Sequence, residues 1–245
     1  MTITSRDNDK LKLARKLHER RWRDKLGLFL CEGEDLVEAA LGAGLEPVEA
    51  LVDVERPVLL ERLRSADLVA PGLLSEVSTL GHPPRILAVF RHDALPRLDL
   101  AAPPAVGLAL WRVGDPGNVG TLLRALDALG PGFLALSAGC ADPTGPKALR
   151  ASAGATFRVP TCGFEAAPGR RVGLVAHGGI PLGELELAEG TTYVLGAERE
   201  GLPEEVLARC DVLATIPQSG PAESLNVAMA GTVVLYELAR RFSAS

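Results

Sequence analysis

Aromatic residues are scarce. They make up 4% of the 245 residues, so aliphatic side chains and alanine must fill whatever core forms. Cysteine offers little either: Cys31, Cys140, Cys162 and Cys210 stand far apart with no CxxC pair, which excludes a disulfide-stapled secreted scaffold and a cysteine-rich zinc site. The four histidines form no HExxH-like cluster, so no metal is expected. An apolar leader is missing, and no apolar run approaches the ~18 residues of a membrane span. No phosphate loop of the GxxxxGK type occurs and no GxGxxG opens a helix, which weighs against nucleoside-triphosphate and NAD sites. With 47% hydrophobic and 23% charged residues, the chain has the balance of a globular protein. The expectation is a reduced, cytoplasmic protein with no membrane and no metal partner.

Charge is unevenly spread. The net charge is −5, yet residues 1–25 hold nine Lys/Arg against four Asp/Glu. A basic N-terminal arm is therefore possible, whereas a uniformly basic face is not. Only five of the 26 basic residues are lysine, and arginine favours planar, bidentate contacts with phosphate or carboxylate.

Hydrophobic periodicity divides the chain into two α/β domains. In the first, Leu11, Ala14 and Leu17 fall at helical spacing. Strand-like LGLFLCEG, helical EDLVEAALGAG, strand PVEALVDV, helix PVLLERLRSAD, strand DLVAPG, helix GLLSEVSTL and strand PPRILAVFRHD follow, ending near Arg91. Residues 92–104 contain three prolines and little periodicity and are read as a linker. From residue 105 to 245, AVGLALW, PGFLALS, RRVGLVAHGG, TTYVLGAE and DVLATIP are apolar runs typical of buried parallel strands. They alternate with helical GNVGTLLRALDALG, a short helix within DPTGPKALRASAG, PEEVLARC and a long final helix, SLNVAMAGTVVLYELARRF.

Three stretches in the second domain follow predicted strands, where open parallel sheets bind ligands. In DPGNVGTLLRALDALG a tight turn leads into a helix, with Asn118 at or near the N-cap; Arg124 taken by itself reads as a solvent-facing partner of Asp127. In LGAEREGLP a strand ends in a glycine-flanked acidic loop, where Gly196 and Gly201 permit close backbone approach. Glu198 there reads either as a ligand contact or as a solvated loop carboxylate. In IPQSGPAESLNVAMAGTVVLYELARR, Ser224 is placed to cap the last helix and Asn226 to point from its first turn. The small residues Ala228, Ala230, Gly231 and Thr232 allow another backbone to come close.

Taken together and in this order, the three stretches resemble the three motifs of the SpoU/TrmH family, RNA ribose 2′-O-methyltransferases of the SPOUT superfamily. The resemblance covers about residues 105–242. DPTGPKALRASAGATFRVP is similar to the family's segment between motifs one and two, and KLARKLHERRWRDKLGLFLCEGEDLVEAAL to its N-terminal RNA-binding domain. It implies a small ribosomal-protein-like α/β domain followed by a parallel-sheet catalytic domain threaded into a deep trefoil knot. It further implies S-adenosylmethionine as cofactor, held at Leu195, Gly196, Gly201, Ile216 and Leu225, and a homodimer using the final helix. Catalysis is implied for Asn118, Arg124, Glu198, Ser224 and Asn226. Because a guanidinium stays protonated at ordinary pH, Arg124 is better read as stabilising a developing alkoxide and anchoring phosphate than as a base. RNA affinity is expected from Lys12, Arg15, Arg21 and Arg23 in the N-terminal arm, and from Arg124 and Arg150. One departure stands out: after Pro160, TCGFEAAPGRRVGLVAHGG is shorter than the family's usual helix there, and Pro168 and Gly169 disfavour a full helix.

The reading that follows is methylation of a ribose in structured RNA, ribosomal RNA ahead of tRNA because a separate N-terminal module serves a structured target. The alternatives are a tRNA 2′-O-methyltransferase and a catalytically idle RNA-binding or ribosome-assembly factor on the same fold. A generic nucleotide-binding α/β protein would need a phosphate loop that is absent.

Overall fold

The computed structural model describes residues 2–242 apart from 64, 131, 187–189 and 222. The N-terminal part is a mixed sheet of β1 (Thr2–Ile3), β2 (Leu28–Glu32), β3 (Glu49–Asp53), β4 (Asp67–Val69) and β5 (Ile86–Arg91), in the order β1-β4-β3-β5-β2. Helices α1 (Asp9–Leu17), α2 (Arg20–Leu26) and α3 (Glu34–Gly42) accompany it. The helical stripe of α1 is real burial: Leu11, Ala14 and Leu17 are fully enclosed, and Asn8 caps the helix by accepting from Lys10 N.

Two expected helices are not formed. PVLLERLRSAD gives only a 3₁₀ segment, Pro57–Arg62, with no side-chain cap, before the chain extends at Leu63. Residue 64 of that stretch lies outside the described residues. GLLSEVSTL gives turns alone. Leu74 and Val77 are buried as the pattern requires, but the segment's end is claimed by a competing acceptor. The enclosed carboxylate of Glu32 takes hydrogen bonds from Ser78 Oγ (2.7 Å), Thr79 N (2.7 Å) and Thr79 Oγ1 (2.7 Å), so the helical bonding begun by Glu76 N to Gly72 O (3.3 Å) and Ser78 N to Leu74 O (3.0 Å) stops at Thr79.

The second sheet has seven described strands, all parallel: β6 (Val106–Leu110), β7 (Gly132–Leu136), β8 (Thr161–Gly163), β9 (Arg170–Leu174), β10 (Ile180–Pro181), β11 (Thr191–Leu195) and β12 (Val212–Thr215). Their order is β10-β12-β9-β11-β6-β7-β8. The helices are α4 (Pro116–Leu129), α5 (Pro146–Ser152), the four-residue α6 (Glu204–Leu207) and α7 (Val227–Phe242). β6 and β11 are buried at every position, which explains their unbroken apolar runs. Between β8 and β9 the chain makes only a 3₁₀ turn, Phe164–Ala166, in keeping with Pro168 and Gly169. α4 and α7 pack so closely that a Cβ on Gly231 would lie 2.4 Å from Leu122 Cδ2.

The two sheets share a core. Leu149 of α5 and Phe157 join the cluster of Phe29 and Phe90 from the N-terminal sheet and Val37 and Ala40 of α3. Beside it, Arg23 is 4% and Asp142 12% exposed, with Arg23 Nη2 2.7 Å from the carboxylate. Arg23 Nη1 donates to the carbonyls of Leu17 (2.8 Å) and His18 (2.9 Å), satisfying that helix end. Burial alone would raise the pKa of Asp142, but hydrogen bonds from Thr144 and the charge of Arg23 hold it below the usual carboxylate range. Thr144 Oγ1 gives its one hydrogen to Asp142, so at 3.0 Å it must accept from His92 Nε2. Burial, partly opposed by Asp142, lowers the pKa of His92. Residues 92–104 are pinned as well: Leu98 N donates to Thr161 O (3.1 Å) and Thr161 N to Pro96 O (3.2 Å).

Arg23 was expected to meet RNA; it is instead enclosed and fully engaged within the protein. Replacing it in Arg23→Met leaves a buried carboxylate without its counter-charge, so urea unfolding should show a loss of about 3–5 kcal/mol. The double variant with Asp142→Asn should recover part of that loss.

Candidate functional site

Three loops leave the carboxyl ends of β6, β11 and β12 on one edge of the parallel sheet. Each is shaped by its own sequence. After β6, Arg112 holds a left-handed φ of 53°, uncommon for a residue with a side chain, and its N donates to Ser137 Oγ at 2.8 Å. The chain then enters α4 through Asp115, whose Oδ1 accepts from Gly117 N (2.6 Å) and Asn118 N (3.2 Å), with Pro116 at the first helical position. Lys147 bonds Asp115 Oδ2 at 3.0 Å, and that bond lowers the pKa of Asp115, keeping the cap ionised.

After β11 the loop closes on itself, with Gly201 N donating to Ala197 O at 2.9 Å and Gly201 at φ 65°. A Cβ on Gly196 would lie 2.2 Å from the carbonyl carbon of Gly201, so only glycine fits. After β12 the loop runs into α7, where Asn226 Oδ1 accepts from Ala228 N (2.9 Å) and Met229 N (3.3 Å). Asn226, not Ser224, therefore caps the last helix, which starts two residues later than the pattern around Ser224 implied. A carboxamide oxygen caps as well as a hydroxyl, and two candidate caps side by side could not be ranked from sequence.

One hydrogen-bonded chain joins the three loops. Asn226 Nδ2 donates to Asn118 Oδ1 (3.2 Å), and Asn118 Nδ2 donates to Glu198 Oε1 (2.7 Å). Asn118 sits in the first turn of α4, past its cap. Arg124, six residues further on, is exposed and outside this chain. Among the described residues its side chain has no hydrogen bond or ion pair, and Asp127 is engaged instead by Arg158 at 2.6 Å.

Beside the chain lies a cavity of about 280 Å³. Leu195, Gly196, Gly201, Ile216 and Leu225 all line it, together with Glu198 and Ser224. Sequence reasoning missed Leu174, Val175 and Ala176 at the end of β9, and Gln218. The signal for the first three was the strand pattern of RRVGLVAHGG, which ends at the same sheet edge; for Gln218 it was its position two residues past Ile216. The Oε1 of Gln218 is buried with no hydrogen-bond partner among the described residues. A larger groove of about 830 Å³ lies against the N-terminal sheet, but five carboxylates outnumber three arginines along it, a poor match for a polyanion.

The basic residues of the N-terminal arm are surface groups apart from Arg23. Lys12 is 3.9 Å from Asp9, and Arg21 is 2.7 Å from Glu19. Arg15 Nη1 donates to Arg6 O at 2.8 Å. Lys16, Arg21 and Lys25 lie 5.1, 5.5 and 5.2 Å from the ring of Trp22. Arg150 is tied between domains, with Nη1 3.1 Å from Thr79 Oγ1 and 3.5 Å from Glu32 Oε2. No group of acidic, histidine or cysteine side chains able to hold a metal ion occurs among the described residues, and no described helix is long and apolar enough to cross a membrane.

Residues 105–236 match the SpoU rRNA Methylase family, and residues 8–88 match the MRM3-like substrate binding domain. The chain is 34% identical over 247 residues to the 23S rRNA (guanosine(2553)-2'-O)-methyltransferase RlmP of Bacillus subtilis, covering 96% of this chain and 98% of the relative. It is 31% identical to the 23S rRNA (uridine(2479)-2'-O)-methyltransferase of Streptomyces viridochromogenes, covering 98% and 92%. The crystal structure of the SpoU methyltransferase AviRb from that organism, in complex with the cofactor AdoMet, superposes with a TM-score of 0.85 at 28% identity, covering 97% of this chain and 99% of that one.

Removing the central carboxamide in Asn118→Ala should loosen loops rather than unfold the protein. Two exposed hydrogen bonds are together worth about 1–2 kcal/mol. Hydrogen exchange should rise selectively in residues 197–201 and 216–226, with the sheet amides unchanged.

Proposed function

Since the chain belongs to the SpoU rRNA Methylase family, S-adenosylmethionine-dependent RNA methyltransferases built on the SPOUT α/β knot, we propose that it methylates the ribose 2′-hydroxyl of a nucleotide in structured ribosomal RNA. The observation that carries this reading is the Asn226–Asn118–Glu198 chain, which sets three motif loops around one cavity. Coverage of both curated rRNA methyltransferases along nearly their whole length, N-terminal module included, supports ribosomal RNA ahead of tRNA.

The residues around the cavity fit the cofactor. Aliphatic walls at Leu174, Ile216 and Leu225 suit an adenine ring, Glu198 and Glu200 match positive charge, and Gly196 leaves backbone where a Cβ would intrude. When bound, S-adenosylmethionine supplies a methyl group already activated on a sulfonium, so neither a metal nor a covalent enzyme intermediate is required. The protein's part is then positioning and electrostatics. Asn118, Glu198, Ser224 and Asn226 shape and hold the loops that bring nucleophile and donor into line. The guanidinium of Arg124 stays protonated at working pH; it anchors RNA phosphate and stabilises negative charge developing on the 2′-oxygen. Lys12, Arg15 and Arg21 extend the phosphate contact along the N-terminal arm, whereas Arg23 and Arg150 hold the arm in register with the site.

α7 supports a homodimer. Met229, Val233 and Tyr236 are 63%, 39% and 59% exposed and fall at i, i+4 and i+7, a continuous apolar stripe on a helix whose opposite side is core.

Two measurements test these readings. Incubating the protein with radiolabelled S-adenosylmethionine and unmodified total RNA should label rRNA at a ribose that resists alkaline cleavage. Arg124→Ala should lower the rate about 10²–10³-fold. Label confined to tRNA would establish the tRNA alternative, and cofactor binding without label in either RNA would favour a binding factor. Sedimentation should show a dimer that Met229→Glu with Tyr236→Glu converts to monomer.

A further inference from the structure

The turn after β7 touches both halves of the molecule. It leaves the same edge of the parallel sheet as the loops of the site and closes tightly, Cys140 N donating to Ser137 O at 3.2 Å. Ser137 N donates to Leu110 O (3.0 Å) and Ala141 N to Val113 O (2.9 Å), so its two ends are pinned to the chain that runs from β6 toward Asn118. Two guanidinium groups are seated on this turn. Arg20, 57% exposed, opens α2 and donates through Nη1 to Cys140 O at 3.1 Å. From the catalytic side the stem of Arg112 lies along Gly139, where an added Cβ would stand 3.5 Å from Cγ and 3.6 Å from Nε. The turn thus carries a cation from each domain. On one side of it is α2 with Arg21, Trp22 and Lys25, and on the other the segment leading to Asn118.

Arg112 occupies a backbone conformation that its residue type resists. Its φ of 53° lies in the left-handed region, unfavourable for a long side chain and open to glycine. The bond from its N to Ser137 Oγ at 2.8 Å holds it there, and strain of this kind clusters where a protein meets its ligands. Nothing within the protein uses the guanidinium, which is exposed and has no hydrogen bond or ion pair among the described residues. Arg6, Arg56, Arg97 and Arg170 also lack such partners but lie elsewhere. Arg97 and Arg170 are at the amino ends of β8 and β9, on the opposite edge of the sheet. Arg56 is in the groove with five carboxylates, and Arg6 is between β1 and α1.

We propose that RNA passes from α2 to the sheet edge across the turn at 137–140, where Arg20 and Arg112 hold its phosphodiester backbone. This rests on the reading of the protein as an RNA methyltransferase. Planar guanidinium groups suit phosphate oxygens, and Arg112 fixes the RNA backbone beside the loops that Asn118 joins.

Filter binding and methyl transfer with unmodified, transcribed 23S rRNA, run on the full chain over a salt series, test this. Arg112→Gly should weaken RNA binding about tenfold and make the plot of log affinity against log salt shallower by about one. The KM for RNA should rise in step, with kcat at saturating RNA and the affinity for S-adenosylhomocysteine unchanged. Its melting temperature should not fall, because glycine takes a left-handed φ without strain. Adding Arg20→Gln should bring the change in slope to about two, whereas Arg56→Gln should alter neither affinity nor slope. Should the glycine variant unfold, Arg112→Asn, a residue that enters this region readily, repeats the test. Wild-type affinity and slope in the Arg112 variant overturn the proposal, and so does an equal loss in Arg56→Gln, which would show a general effect of charge. RNA binding that responds to Arg112 as stated, with no methyl transfer by the wild type, overturns the methyltransferase reading and leaves the phosphate contact standing. Failure of the wild type to bind the RNA at all overturns both.

Discussion

The carboxamide of Asn118 is the joint on which the site depends. It accepts from Asn226 and donates to Glu198, so one planar group ties the loops after β6, β11 and β12. Only an amide can do both from one side chain of this length: an aspartate could accept from Asn226 but would repel Glu198. These bonds are exposed and individually weak, so they add little to folding stability. Their effect is to select one arrangement of three loops that parallel strands have already brought to one edge. Stability is supplied below them, by strands buried at every position and by the close seat of α7 on α4 at Gly231.

A second joint works at larger scale. The N-terminal sheet is locked to the catalytic sheet by shared core at Leu149 and Phe157 and by the enclosed Arg23–Asp142 pair. Such a pair adds little net stability over a well-packed apolar equivalent, yet it is costly to break. It therefore acts as a register device: the helix carrying Trp22 and its neighbouring cations is held at a fixed distance from the loop at 138–145. Arg20 Nη1, donating to Cys140 O at 3.1 Å, adds to the same register. An RNA bound along that helix would thus reach the sheet edge in a defined frame.

Much of this was legible in the sequence. Unbroken apolar runs marked the parallel strands, because strands covered on both faces need no polar alternation. The motif stretches marked the loops that do converge. What stayed hidden was set by partners distant in sequence. GLLSEVSTL has the composition of a helix, and only the carboxylate of Glu32, 46 residues from Ser78, explains why its helical bonding stops at Thr79. Arg23 sits in a basic run and reads as a phosphate contact until Asp142, 119 residues away, is seen beside it. Ser224 and Asn226 are equally plausible caps by type, and only backbone geometry decides between them. The orphaned oxygen of Gln218 is a three-dimensional fact with no sequence counterpart.

The charge distribution brings these threads together. An acidic chain has to approach a polyanion, and many of its arginines are ion-paired within the protein. Arg158 pairs with Asp127, Arg240 and Arg241 with Glu237, Arg209 with Glu165, and Arg91 with Asp93. Arg112, Arg124 and Arg199 have no side-chain hydrogen bond or ion pair among the described residues. They lie, in turn, just after β6, on α4, and in the loop after β11, the segments that surround the Asn118 chain. Arg6, Arg56, Arg97 and Arg170 likewise have none among the described residues, so free cations are not confined to this edge, but the three that lie here add local attraction for phosphate. Overall acidity then opposes indiscriminate RNA binding, while the guanidinium groups of Arg112, Arg124 and Arg199 favour a phosphodiester delivered to the edge of the sheet.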